Sequence, residues 1–110
     1  MNKHASPQLR RHNDPTFLLL TSLASGPKHG YALSKDVEEF AGVTLSPGTL
    51  YGAITRLEES GLIEPMAEVE RRRPYRITTS GTLALREATI EMRRLADVSV
   101  TRLRLAIRGA

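Results

Sequence analysis

The residues best able to do chemistry in this sequence are hydroxyl groups and one guanidinium that recur at helical spacing in mid-chain. They are Ser46, Thr49, Tyr51, Thr55 and Arg56. No general base accompanies these hydroxyls, so the chemistry that they suit is recognition through hydrogen bonds. Gly48 and Gly52 lie on the same side, and each costs a helix roughly 0.5–1 kcal/mol relative to alanine. A face that gives up stability for close approach suits a helix pressed into a groove of nucleic acid.

The segment that carries these residues has start and stop signals at its two ends. Ser46 can accept a hydrogen bond from a free backbone N–H of the first turn, and Pro47 fits the first helical position. Gly61 supplies a left-handed stop after the last turn. The opposite side is apolar at a spacing of about 3.6 residues. It consists of Leu50, Ala53, Ile54 and Leu57. The pattern predicts a short amphipathic helix whose polar face is free to bind.

Two further helices are predicted before this one. The first begins at Asp14, is apolar on most sides and ends near Gly26. The second opens at residues 28–31 and extends to about Ala41. Its predicted inward residues are Leu33, Val37 and Phe40. A helix, a short turn and a second helix with a polar outer face form the helix-turn-helix arrangement, and the alternative is an ordinary helical hairpin in a small bundle.

A basic hairpin is predicted after the helix-turn-helix. One strand begins at residues 62–64, and a second spans residues 74–78. The residues that alternate inward in the second strand are Tyr75 and Ile77. Between the strands lie Arg71, Arg72 and Arg73, and two strands in this position make a winged helix whose tip can reach phosphate or the minor groove. The alternative is a solvated tip. Pro74 cannot donate a ladder hydrogen bond, which predicts an edge strand.

Basic and aromatic side chains near the second helix are further candidates for contacts with phosphate. They are Lys28, His29 and Tyr31, together with Arg76 of the second strand. A helix N-terminus carries free N–H groups and a partial positive charge, which favour an anion. The alternative is a capped helix start with a satisfied histidine. We expect no metal site, because the other histidines, His4 and His12, lie near the start of the chain and the sequence has no Cys.

A last helix is predicted from residue 80 to about Arg108, with caps available at residues 78–80. An apolar stripe runs along it at close to heptad spacing. The stripe consists of Leu85, Ala88, Met92, Leu95, Ser99, Leu103 and Ala106. A helix of roughly 28 residues, about 40 Å long, is too long for this domain to cover. We therefore expect the same helix of a second copy to cover the stripe. A membrane-surface helix is the alternative, disfavoured because no Trp or Phe lies on the apolar side.

Composition limits the class of protein. The chain has 110 residues, no Cys and a net charge of +4. We expect one domain, with a disordered basic tail at 1–13, a winged helix-turn-helix at 14–79 and a dimerisation helix at 80–110. The sequence has neither an apolar run near the roughly 20 residues of a membrane span nor a signal peptide's apolar core, so the cytoplasm is the expected location. Without an activated nucleophile or a phosphate-loop motif, we expect neither catalysis nor a cofactor.

Three motifs together resemble the PadR family of bacterial transcriptional regulators, over roughly residues 14–110. The first is Gly48-Thr49-Leu50-Tyr51 with Arg56-Leu57-Glu58 and Gly61-Leu62-Ile63, the second His29-Gly30-Tyr31, and the third Tyr75-Arg76-Ile77-Thr78 with Gly81. The resemblance implies a mainly α fold with a small β-hairpin: a winged helix-turn-helix and a long C-terminal dimerisation helix. Pro74 departs from the family, which usually has an aromatic residue or Lys there, and this leaves the shape of the wing open.

The resemblance also implies a function. We expect a homodimer that binds double-stranded DNA at an inverted repeat and acts as a repressor, not an enzyme. Release by a small ligand is implied as well, although the sequence offers no Trp to stack a flat molecule; control by a protein partner or by abundance is the other possibility. The alternative function is a winged-helix module that binds a protein and has only non-specific affinity for DNA.

Overall fold

A computed structural model describes residues 13–109, in which four helices surround a small antiparallel sheet. The elements are α1 (Pro15–Leu23), β1 (Lys28–His29), α2 (Gly30–Ala41), α3 (Pro47–Glu59), β2 (Ile63–Pro65), β3 (Pro74–Ile77) and α4 (Thr79–Gly109). This order confirms the winged helix-turn-helix with a long C-terminal helix. The predicted tail at 1–13 lies almost wholly outside the described residues.

The helix boundaries are set by caps that the sequence indicates. The Asp14 carboxylate accepts a hydrogen bond from the backbone N–H of Thr16 at 2.9 Å and so begins α1. Ser46 Oγ accepts from the backbone N–H of Thr49 at 3.2 Å and begins α3. Beyond α3, Gly61 has a φ of 74°, the left-handed region that favours glycine. Each cap satisfies backbone groups that a helix end leaves free, so α3 is held in place at both ends.

The core lies where α1, α2 and α3 meet and is closed by the start of β2. Its fully buried residues include Leu19, Leu20, Leu33, Leu57 and Ile63. The predicted inward face of α3 is confirmed, since its four apolar residues are all buried. The prediction for Phe40 was wrong, because its side chain is 47% exposed. Residues 38–41, the last turn of α2, are all exposed, so the helix runs past the part that the core covers.

The sheet has three strands rather than the two that were predicted. Its order is β1-β3-β2, with both pairings antiparallel. Lys28 pairs with Tyr75 and His29 with Pro74. Pro74 therefore lies in the central strand, and the predicted edge position was wrong because the short strand β1 was not foreseen. Proline is tolerated there because it is the first residue of β3, and its carbonyl still accepts from the backbone N–H of Met66 at 2.8 Å.

The hairpin between β2 and β3 ends in a tight turn. Val69 and Arg72 exchange two backbone hydrogen bonds of 2.8 Å. The two residues between them, Glu70 and Arg71, have φ values of 50° and 66°. Left-handed backbone at a residue other than glycine costs roughly 1–2 kcal/mol. The tip is thus held in a strained conformation, and Arg71 is one of its exposed residues.

α4 starts directly after the sheet and extends past the rest of the fold. Thr78 Oγ1 accepts from the backbone N–H of Gly81 at 3.0 Å and caps the helix, as predicted. Gly81 is buried, and a Cβ there would overlap the carbonyl oxygen of Leu62. From residue 89 to 109 every residue except Met92 is exposed. Within residues 13–109, the helices lack the combination of length and apolar character that crossing a membrane needs.

Candidate nucleic-acid interface

The outward face of α3 is a row of ordered hydroxyl groups. Ser46 Oγ lies 3.0 Å from Thr49 Oγ1, and Thr55 Oγ1 donates to the Tyr51 carbonyl oxygen at 2.9 Å. Within residues 13–109 no carboxylate lies within ion-pair distance of Arg56. The Arg56 guanidinium instead lies 3.6 Å from the position that a Cβ on Gly52 would take. It is exposed and free to meet an anion or a base edge.

Tyr51 leaves this row and lies against the start of α2. A Cβ built on Gly30 would be 2.5 Å from Tyr51 Oη and 3.0 Å from its Cζ. Gly30 is therefore the residue that lets the phenol approach the helix so closely. The role of Gly30 was not predicted, and its only signal was a glycine at the first position of a helix, where it gains nothing as a helix former.

A cleft of about 270 Å³ opens beside Tyr51, between the start of α2, α3 and the basic hairpin. Its lining is rich in phenol, imidazole and guanidinium groups. The lining residues are His29, Gly30, Tyr31, Tyr51, Arg71, Arg72, Arg73 and Tyr75. Most of the side chains that the sequence assigned to phosphate contacts thus meet at one site. Their shared character is hydrogen-bond donation with positive charge, which suits an oxyanion.

Tyr75 is a half-buried member of the cleft, and sequence reasoning assigned it to packing alone. Burial raises the pKa of its phenol, the nearby Glu58 carboxylate and Tyr51 raise this pKa further, and Arg73 opposes them. The raised pKa keeps the hydroxyl protonated through the physiological range, where tyrosine is already neutral. Tyr75 is therefore available as a neutral hydrogen-bond donor in the lining of the cleft.

Two of the three arginines are folded back against the protein. The Arg72 guanidinium carbon lies 5.9 Å from the ring centroid of Tyr31, and Nη1 lies 3.2 Å from His29 Nε2. Arg73 Nη1 donates to the carbonyl oxygen of Met66 at 2.6 Å. These contacts hold positive charge at the mouth of the cleft without neutralising it, since no carboxylate within residues 13–109 forms an ion pair with either arginine.

Two predicted phosphate ligands lie apart from the cleft. Lys28 Nζ donates to the Ser22 carbonyl oxygen at 2.6 Å and to Ser25 Oγ at 2.8 Å, so its ammonium closes the C-terminal end of α1. Arg76 forms an ion pair of 2.5 Å with Glu64 across the strands and faces Thr78 and its neighbours. Alternation along β3 explains this position, because Tyr75 and Arg76 point to opposite faces of the sheet.

The predicted dimer stripe on α4 divides into two parts. Leu85 and Ala88 are half-buried against the core of their own chain, because the first turns of α4 lie on the domain. Met92 is half-buried, and the remaining members are exposed. These are Leu95, Ser99, Leu103 and Ala106. Only the second part has an apolar surface that the chain itself leaves largely uncovered.

Within residues 13–109, no three His, Asp or Glu side chains group closely enough to hold a metal ion. The donors described above are instead arranged around one open cleft and one exposed helix face. Tyr51 belongs to both. The two surfaces are therefore continuous, and together they form a single candidate interface for an extended polyanion.

Comparisons with known proteins agree on one family. Residues 19–87 match the model of the transcriptional regulator PadR-like family. An uncharacterised 37.1 kDa protein in a transposon of Streptomyces fradiae is 43% identical over 86 residues, which are 78% of this chain and 25% of that protein. The chain therefore spans only about a quarter of that relative's length. The transcriptional regulator Rv3488 of Mycobacterium tuberculosis is 35% identical over 81 residues, which are 71% of this chain and 75% of that protein.

A solved structure extends the agreement to the fold. The crystal structure of a PadR family transcription regulator from Clostridium difficile matches with a TM-score of 0.73 and 28% sequence identity. The match covers 81% of this chain and 97% of that one. The similarity thus includes α4 as well as the helix-turn-helix and the wing.

Proposed function

Because the chain belongs to the PadR-like family of transcriptional regulators, we propose that it binds specific double-stranded DNA as a homodimer and represses transcription from an inverted-repeat operator. The observation that carries this proposal is the continuity of the exposed face of α3 with the basic cleft. A reading helix needs base contacts and phosphate contacts side by side, and Tyr51 lies where the two surfaces join.

We assign base contacts to the exposed face of α3 and phosphate contacts to the basic cleft. Thr49, Thr55 and Arg56 read base edges in the major groove, where an arginine can pair with guanine. Arg71 and Arg72 hold the phosphate backbone beside it, since phosphate contacts position a protein without specifying sequence. We place Lys28 and Arg76 outside the contact set because both already have partners in the fold.

The proposed dimer is supported by the uncovered part of α4. The exposed apolar side chains of the stripe lie along a helix of 31 residues. Apolar side chains at this spacing pack against the same helix of a second copy in a coiled coil, which removes them from water. Two α3 helices would then enter successive major grooves about 34 Å apart, as an inverted repeat requires. Repression needs nothing more than occupancy of such an operator. We further propose that the protein acts in the cytoplasm and is released from DNA by a small ligand, as the family resemblance implies.

The deciding experiment is fluorescence anisotropy on the DNA upstream of the protein's own gene against a scrambled duplex, at several salt concentrations. We expect a preference of about a thousandfold or more for the upstream DNA, with two chains per site. Arg56→Ala should lose most of this preference, because it removes a base contact. Arg72→Ala should weaken both duplexes and lower the salt slope by about one unit, because it removes a phosphate contact.

Two results would contradict the proposal. Equal, steeply salt-dependent binding to both duplexes would leave only the non-specific affinity of a basic surface and favour the protein-interaction module. A rise in promoter activity when the protein is added to a transcription reaction would contradict repression while leaving specific binding intact.

A further inference from the structure

His29 lies at the mouth of the cleft and uses both nitrogens of its ring. Nδ1 faces the backbone N–H of Ala32 at 3.3 Å and caps α2. Nε2 faces Nη1 of Arg72 at 3.2 Å. The groups opposite both nitrogens can only donate, because a backbone amide and a guanidinium have no acceptor there.

These two contacts cannot both be hydrogen bonds to a neutral imidazole ring. A neutral imidazole has one acceptor nitrogen and one N–H donor, so it can satisfy only one of the two facing donors. If Nδ1 accepts from Ala32, then the hydrogen on Nε2 points at the N–H of Arg72. If Nε2 accepts from Arg72, then α2 loses its cap. In either neutral tautomer, therefore, one of these two contacts sets a donor against a donor.

The geometry points to a phosphate oxygen as a ligand held between His29 and Arg72. An oxyanion placed there accepts from Nε2–H and from the guanidinium at once, while Nδ1 continues to cap α2. The histidine then acts as a neutral donor in a single tautomer. This inference rests on the proposed DNA binding and names the phosphodiester backbone as the ligand of the cleft.

Among the residues that the structure describes, the side chains that line the cleft around His29 include no carboxylate: α2 contributes Tyr31, α3 contributes Tyr51, and the hairpin and β3 contribute arginines and Tyr75. A phosphate that entered the cleft would therefore meet hydrogen-bond donors and positive charge.

The first test is His29→Asn, because asparagine keeps the N-cap acceptor while its amide N–H group lies nearer the backbone than Nε2 and does not reach the phosphate. We expect binding about fivefold weaker on the upstream duplex and on a scrambled duplex alike, as for one neutral hydrogen bond. The salt slope should stay unchanged, because a neutral donor releases no counterion. Arg72→Ala is the matched control and should lower the slope by about one unit. Unchanged affinity, or a slope that falls with His29→Asn, would overturn the inference.

The second test uses the unaltered protein and so does not depend on the fold of a variant. Two-bond ¹H–¹⁵N spectra of the imidazole rings, with the His29 signals identified by their loss in His29→Asn, report its tautomer. The complex with DNA should show Nε2–H with an acceptor Nδ1, and an imidazolium or an Nδ1–H ring there would overturn the inference. If the unaltered protein binds no DNA in the anisotropy titration, the proposed function itself fails; DNA binding with the wrong tautomer removes only the role of His29.

Discussion

The helices α3 and α4 differ in whether their apolar residues are buried. α3 has 13 residues and buries four of them under the core of its own chain, so only its polar face stays accessible. α4 has 31 residues and buries only Gly81. Its exposed apolar side chains continue almost to its end, and they include Leu95, Leu103 and Ile107. The face that a chain leaves uncovered indicates what the helix meets: polar groups on α3 indicate a polar ligand, and apolar groups on α4 indicate another protein surface.

The test with the largest expected effect shortens one leucine of each helix to alanine. Leu57→Ala should lower the free energy of unfolding by about 2–5 kcal/mol, because Leu57 is fully buried. Leu103→Ala should change it by less than about 0.5 kcal/mol in dilute protein, because Leu103 is 62% exposed. Urea denaturation at low protein concentration measures both values. Similar losses would show that Leu103 is covered in solution, either by its own chain or by a dimer that persists at this dilution.

A second test asks what covers the end of α4. Leu103→Asp places a charge in the proposed dimer contact, where burying an unpaired carboxylate is strongly unfavourable. We expect the dimer to dissociate at least about tenfold more readily, corresponding to about 1.4 kcal/mol. Sedimentation velocity over a range of concentrations gives the dissociation constant, and Thr101→Asp on the other side of the helix is the control. Equal effects of the two changes would place the contact elsewhere.

The smallest test concerns the polar face of α3. Gly52→Ala should raise the free energy of unfolding by about 0.5–1 kcal/mol, since alanine favours a helix and its Cβ would meet only Arg56 at an ordinary 3.6 Å. The same change should weaken binding to the upstream duplex, because the added methyl group separates the helix from the groove. Thermal melting and anisotropy measure the two effects. Gly109→Ala, in open space at the end of α4, serves as control. Higher stability with unchanged DNA binding would show that Gly52 is not needed for close approach of α3 to the DNA groove.

The sequence was sufficient for those parts of the fold that depend on local chemistry. Asp14, Ser46, Gly61 and Thr78 mark helix ends, and each acts at the predicted place. Strand β1 could not be predicted, because two residues carry no periodicity and their pairing with β3 is set by distant parts of the chain. The wrong position of Pro74 followed from this omission.

The sequence predicted which residue types form the candidate site, but it did not predict where their side chains point. The sequence placed Tyr51 on the polar face of α3 and gave no sign that its ring lies over Gly30. It could not show that Lys28 is engaged by the end of α1, because that contact depends on how the turn at residues 24–27 folds. It also could not separate Arg76 from the neighbouring arginines, since the partner Glu64 lies on another strand.

The junction of α4 with the domain gives the long helix the properties of a lever. The Leu62 carbonyl oxygen accepts from the Thr78 N–H at 3.0 Å and lies under Gly81, so the first turn of α4 rests on the residue that precedes β2. Over 31 residues, about 46 Å, a tilt of about 5° at this pivot moves the far end by about 4 Å. In a dimer joined through the far ends, small changes of angle at Leu62 would therefore set the distance between the two reading helices.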